Sequence, residues 1–215
     1  MISIPFRIIF TQVNDSLRTG TELPLPRPRG RPRSFDPDEA LKAAGERFRT
    51  QGFAATSLDD LVEATGLARP SLYAAFGDKR ALYLAALARL TDRVERAFAG
   101  LGALGLPLQP MVERMLVGAI EGYLSGEKGP AGCLLVGTAT SEAATDPQVR
   151  AALVRFLDME DRSIEALLVG AGSTNPAACA RIVASVLHSL SVRARAGESR
   201  DSMEQLARDC AAMVV

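Results

Sequence analysis

The sequence predicts an all-α chain. Alanine and leucine dominate, aromatic residues make up 5% and tryptophan is absent, a composition that favours helix over sheet. After residue 35 no run of alternating Val, Ile and Thr bounded by turn residues occurs. Apolar residues recur instead at three- and four-residue spacing, separated by Gly, Pro, Ser and Asp.

Asp36 is placed to cap a first helix, with Pro37 in its first position and Glu39 completing a capping box. Ala40, Leu41, Ala44 and Phe48 form its apolar face, and Gly52 ends it in a left-handed cap against which Phe53 packs. Ser57 caps a short second helix whose acids Asp59 and Asp60 sit near its positive end, whose inner side is Leu58, Leu61 and Val62, and which stops at Gly66. A third short helix opens at Arg69–Pro70, carries Leu72, Tyr73 and Phe76, and breaks at Gly77. Asp78 then caps a long fourth helix reaching about Phe98. Beyond a Gly/Leu/Pro-rich connection (100–110), helices follow from about Gln109 to Leu124, from near Cys133, from Asp146–Pro147, from Pro176 to Gly197, and from Ser199 onwards.

Formal charge balances at 25 basic and 25 acidic residues, but Arg27, Arg29, Arg31 and Arg33 form a local basic run without an acid among them. Such a run in a neutral chain fits a localised polyanion contact. Three cysteines without CxxC spacing give neither a disulfide framework nor a zinc signature, so no metal is expected and reduced thiols in a cytoplasmic protein are. The apolar opening MISIPFRIIF is interrupted by Pro5 and Arg7 and no small-residue cleavage site follows, so residues 1–26 read as a leader rather than a signal peptide. No stretch is read as membrane-spanning, and no membrane partner is expected.

Two short helices joined by a Gly-containing turn are the geometry that lays a helix into the DNA major groove, although an ordinary helical hairpin has the same spacing. The residue detail decides between them. The segment TSLDDLVEATGLARPSLYAAFGDKRALYLAAL, residues 56–87, resembles the DNA-binding domain of the tetracycline-repressor (TetR) family in four features: Thr56–Ser57 leading the second helix, the Gly66 turn, Leu72–Tyr73–Phe76 in the recognition helix, and Lys79 opening the fourth helix. The resemblance implies double-stranded operator DNA as a partner, with Tyr73 and Lys79 on backbone phosphate. Arg69, Ser71, Tyr73 and Ala74 occupy the first turns of the recognition helix, and Arg69 is the candidate for reading a guanine through its forked donors. Thr56 or Ser57 is placed to offer backbone N–H groups to a phosphate. Ala74 and Ala75 stand where many family members carry larger side chains, which leaves the contact surface thin there. The arm Pro28–Arg33 reproduces the core of an AT-hook, in which Arg29, Arg31 and Arg33 around Gly30 enter a narrow A·T minor groove.

The domain plan is thus a flexible leader and basic arm (1–33), a three-helix helix-turn-helix domain (34–83) and a helical effector and dimerisation domain (84–215). The last part resembles the family more loosely, most closely over residues 186–213. In the family its two final helices pair with their copies, which implies a homodimer with Val183, Leu187, Leu190, Met203, Leu206 and Cys210 at the interface. A pocket for an unidentified small-molecule effector is expected between Gln109 and Val169, lined by Met111, Met115, Tyr123, Cys133, Phe156 and Met159, a flexible apolar set. Cys133 follows Gly129–Gly132 at a helix start, a setting that can acidify a thiol, but a buried structural thiol is the favoured reading. His188 reads as a hydrogen-bonded core or interface residue.

An enzyme is the chief rival, and the sequence gives it little: one His, no GxSxG, no phosphate loop, no metal-ligand cluster, and hence no catalytic residue or cofactor. The second rival is an architectural DNA-binding protein that senses nothing. The expected function is a ligand-responsive transcriptional regulator, a repressor acting as a homodimer on palindromic DNA near the nucleoid.

Overall fold

A computed structural model describes residues 35–126 and 129–214; the Arg29, Arg31 and Arg33 positions lie outside them. Pro37 to Val215 form one compact unit. Among the described residues there are nine α-helices and no strand: α1 (Pro37–Gln51), α2 (Leu58–Thr65), α3 (Arg69–Phe76), α4 (Lys79–Gly102), α5 (Leu108–Leu124), a short α6 (Thr140–Glu142), α7 (Pro147–Gly170), α8 (Pro176–Arg195) and α9 (Arg200–Met213). A π-helical turn, Leu135–Ala139, runs directly into α6.

Local chemistry sets most boundaries. Ser57 Oγ accepts from the N–H of Asp60 while the Asp60 carboxylate accepts from the N–H of Ser57 at 2.7 Å, a reciprocal capping box. The Asp78 carboxylate accepts from Ala81 N–H at the start of α4, Asp146 from Gln148 and Val149 at the start of α7, and Ser199 from Ser202 at the start of α9. Gly66 ends α2 at φ +67°, a left-handed conformation that only glycine adopts without strain.

The head is a small bundle in which α1 packs on α2 and α4, and α3 lies against α2 and α4. Its centre is aromatic: Phe48 and Tyr83 are fully buried and meet edge to face at 5.0 Å, with the Phe53 ring 4.9 Å from Tyr83. Leu61 and Leu72 fasten α2 and α3 to this centre. The expected division at residue 83/84 falls inside α4, which runs unbroken from the head along α7. In the body, α7 packs on α8, and α5 lies against both α8 and α9.

Polar joints link head to body. Arg49, buried in the last turn of α1, donates from Nη1 to the carbonyls of Gly122 (3.1 Å) and Gly132 (3.0 Å) and from Nη2 to that of Ser125 (2.5 Å), with Glu46 as its ion partner. Arg195 donates to the carbonyls of Arg49 and Ala131 from the other side. Thr138, in the π turn, gives its hydroxyl proton to Leu134 O, so it accepts from the buried Tyr83 hydroxyl at 2.7 Å. Arg80, in the first turn of α4, grips the Asp146 carboxylate with Nε and Nη2.

One helix departs from the expectation of no membrane-spanning length: α8 is long and apolar enough to cross a bilayer by length and composition. Its Val183, Leu187 and Leu190 are turned into the core while Ile182 and Val192 face outward, the pattern of a core helix with a second apolar face.

The head centre yields a graded expectation. Phe48→Ala should cost about 3–5 kcal/mol in urea unfolding, because it leaves a cavity. Tyr83→Phe should cost only about 1 kcal/mol, because it deletes one hydrogen bond from an otherwise filled site. Equal losses would show that Tyr83 and Phe48 do not share the packing described.

Candidate nucleic-acid interface and effector cleft

Leu72 is buried and Phe76 half-buried, so α3 is fixed by one side and turns Arg69, Ser71, Tyr73 and Ala74 outward; Tyr73 is 44% exposed. Four of the sequence-predicted contact residues also have partners within the chain. Thr56 is buried and its hydroxyl donates to Gly52 O at 2.6 Å. The capping box takes the N–H of Ser57, so the N–H groups it leaves for a phosphate are those of Leu58 and Asp59. Lys79 stands 4.5 Å from the Phe53 ring centroid, with Ala54 O 3.5 Å from its ammonium, on the surface of the α1–α2 loop. Arg69 Nη2 donates to Asp59 at 2.5 Å.

The head is not a basic surface. Residues 35–83 carry eight acids and six bases, and among the bases Arg47 holds Asp60 and Glu63, Arg49 holds Glu46, and Arg80 holds Asp146. The α3 face offers shape and a few donors rather than a general field for a polyanion.

In the body, a cleft of about 480 Å³ lies among α4, the α4–α5 connection and α7, lined by Phe98, Leu101, Leu106, Met111 and Leu167 with Glu95 and Ser163 as its polar groups. Met111 is the one predicted pocket residue that lines it. Met115, Cys133, Phe156 and Met159 are buried in the core and Tyr123 is half-buried. Of the two readings of Cys133, the buried thiol is the one seen: burial pushes it up despite the Leu135 and Val136 N–H groups beside it, and its own N–H donates to Ser191 Oγ at 2.8 Å. Nearby, the Glu160 carboxylate is 3% exposed and meets His188 Nε2 at 2.6 Å. Nothing in the sequence marks Glu160, an acid one turn beyond Phe156 on the buried side of α7.

The predicted dimer residues need the largest correction. Val183, Leu187, Leu190, Met203 and Cys210 are buried within the chain's own core and have no surface to offer a second copy. Only Leu206 lies at an outer groove, with Ile182, Val186, Ser189 and Arg193 of α8. The apolar stripes were those of an intrachain core, and a weaker outer stripe forms the exposed face.

A helix-turn-helix with an outward recognition helix, carried on a larger helical body, defines a DNA-binding regulator. Residues 40–86 match the family model described as bacterial regulatory proteins, tetR family. Over 190 residues the chain is 33% identical to the HTH-type transcriptional repressor ComR of Escherichia coli (strain K12), covering 83% of this chain and 89% of that protein. It is 30% identical to the repressor BdcR of the same organism, covering 82% and 86%. A solved structure of the TetR family regulator CifR, a cysteine mutant in complex with 26-bp double-strand operator DNA, superposes with a TM-score of 0.70 at 30% identity, covering 86% of this chain and all of that one. The chain belongs to the TetR family of transcriptional regulators.

The Glu160–His188 pair predicts a pH dependence of stability. Burial pushes the Glu160 carboxyl up, and the hydrogen bond that Nε2 of His188 donates to the Glu160 carboxylate pushes the imidazole up. Both groups bind protons more tightly folded than unfolded, so their contribution is fully present below their ordinary values. It is lost as pH rises through the raised ones, for the imidazole above about 6.5. The urea midpoint should therefore fall as pH rises above about 6.5, and the Glu160→Gln/His188→Gln double variant should lose most of that fall. A profile equally steep in both proteins would remove this pair as its source.

Proposed function

We propose that two copies of the chain bind an inverted-repeat operator and repress transcription there, releasing it when a small molecule occupies the body. The observation that carries this reading is the outward face of α3, where Arg69, Ser71, Tyr73 and Ala74 stand on a head anchored by Leu61, Leu72 and Phe48. Each α3 enters a major groove, and a two-fold pair reads half-sites about 34–36 Å apart. The pairing face is the outer groove of α8 and α9, where Ile182 and Val192 are more than half exposed and Val186 and Leu206 complete an apolar strip. The relatives named repressors support repression, and the operator complex of CifR supports double-stranded DNA as the partner. The site of action that follows is the cytoplasm.

With more acids than bases in the head, the phosphate attraction falls to the arm, where Arg27, Arg29, Arg31 and Arg33 precede α1. The effector is a small, mainly apolar molecule with one hydrogen-bonding end, received by the cleft of α4, α5 and α7 near Ser163 and Glu95. Since α4 forms both a cleft wall and a head helix, occupancy that favours one placement of α4 shifts the population of DNA-competent pairs.

Selection of bound duplexes from a random library tests the reading. Enriched sites should be inverted repeats with half-site centres about 10 bp apart. Deleting residues 1–33 should lower affinity for them and flatten its salt dependence, and Ile182→Glu/Val186→Glu should give a monomer in sedimentation. Enrichment without any repeat, or arm-deleted protein with unchanged salt dependence, would contradict it.

A further inference from the structure

The acids of α2 are each matched to an arginine, and only one of these pairs lies on the reading face. Asp60 and Glu63 turn back to Arg47 of α1, whose side chain is largely buried. Asp59 reaches forward across the turn between α2 and α3, and its Oδ1 accepts from Arg69 Nη2 at 2.5 Å. Both side chains are exposed, Asp59 at 79% and Arg69 at 53%. An exposed pair of this kind adds little to folding stability. It also sets a carboxylate at the edge of a surface that must approach phosphates, where an unmatched negative charge weakens binding.

We infer that Asp59 is a positioning residue for base reading: it holds the Arg69 guanidinium in the orientation that presents its free donors to a guanine. The inference rests on the reading of Arg69 as the base contact. A guanidinium has five N–H donors in a rigid fork. Asp59 takes one of them, and two of the remaining four suffice for O6 and N7 of guanine. Arg69 is the first residue of α3, and the helix has no side-chain cap there: Ala68 occupies the N-cap. Without Asp59, a long side chain at this place is free to swing to a neighbouring phosphate, a contact that carries no sequence information. The carboxylate also discourages that alternative. Its charge is matched only while Arg69 stays beside it, so the DNA backbone is tolerated close to α2 when Arg69 is held in the groove rather than drawn to the strand.

The probes are duplexes selected from a random library by the full chain, resynthesised with each conserved guanine changed to the other three bases. The guanine read by Arg69 is the one whose preference Arg69→Ala abolishes. The wild-type chain should prefer guanine there by about tenfold or more. Asp59→Ala should cut this to about threefold or less while strengthening binding to duplexes outside the selected set. Asp59→Asn, which keeps an acceptor but not the charge, should fall between the two. In the Arg69→Ala background, Asp59→Ala should leave base preference where Arg69→Ala alone puts it. Unchanged guanine preference in Asp59→Ala overturns the inference. So does an equal gain in affinity for every duplex, which would make Asp59 a repelling charge and nothing more. If Arg69→Ala itself leaves every base preference intact, the reading of Arg69 fails first and the role of Asp59 goes with it.

Discussion

The arrangement of the chain depends on a single buried guanidinium. Arg49 belongs to the head by sequence, yet its donors go to three backbone carbonyls of the body, at Gly122, Ser125 and Gly132. The fork suits this task because it spreads several donors over fixed directions, so one side chain reaches carbonyls at the end of α5 and in the loop beyond it. The loop is shaped to reach it. Gly132 adopts φ +64°, and a Cβ there would stand 2.7 Å from Ser191 O, so a larger residue would push the loop off α8. Arg195 closes the same joint from α8 by donating to Arg49 O.

Around that joint the chain is continuous in a way that suits regulation. Head and body are joined at several points: α4 is shared, Tyr83 is tied to the π turn through Thr138, and Arg80 is tied to the cap of α7 through Asp146. The Asp146 carboxyl is held well below the usual carboxylate range, chiefly by Arg80, and it also caps α7. Packed and hydrogen-bonded contacts thus link α4 and α7 to the head that carries the recognition helix. Single-turn π segments often mark functional sites in helices, and this one lies where head and body meet.

Much of the fold was legible in the sequence because its helix ends are written in local chemistry. Ser57, Asp78, Asp146 and Ser199 cap the helices they precede, and Gly52, Gly66 and Gly77 carry positive φ where helices stop. The recognition helix was legible through Leu72, Tyr73, Phe76 and Lys79. What escaped depends on contacts distant along the chain. The strongest apolar stripes of α8 and α9 mark burial but not which molecule buries them, so periodicity points Val183 and Met203 toward a partner whereas their own core covers them. Arg49 reads as an ordinary surface arginine, because its carbonyl partners lie more than 70 residues away. Cys133 stands at a helix start, but the burial that pushes its thiol up comes from helices that sequence spacing does not place.

The claim that Arg49 makes head and body one unit is tested most directly by native-state hydrogen exchange in the wild-type chain and in Arg49→Met. In the wild type, amides of Leu61 and Leu72 in the head and of Ile164 and Leu187 in the body should exchange through the same large opening. In Arg49→Met, the head amides should exchange about tenfold faster or more while the body amides keep most of their protection. Equal protection of head and body in both proteins would contradict the account.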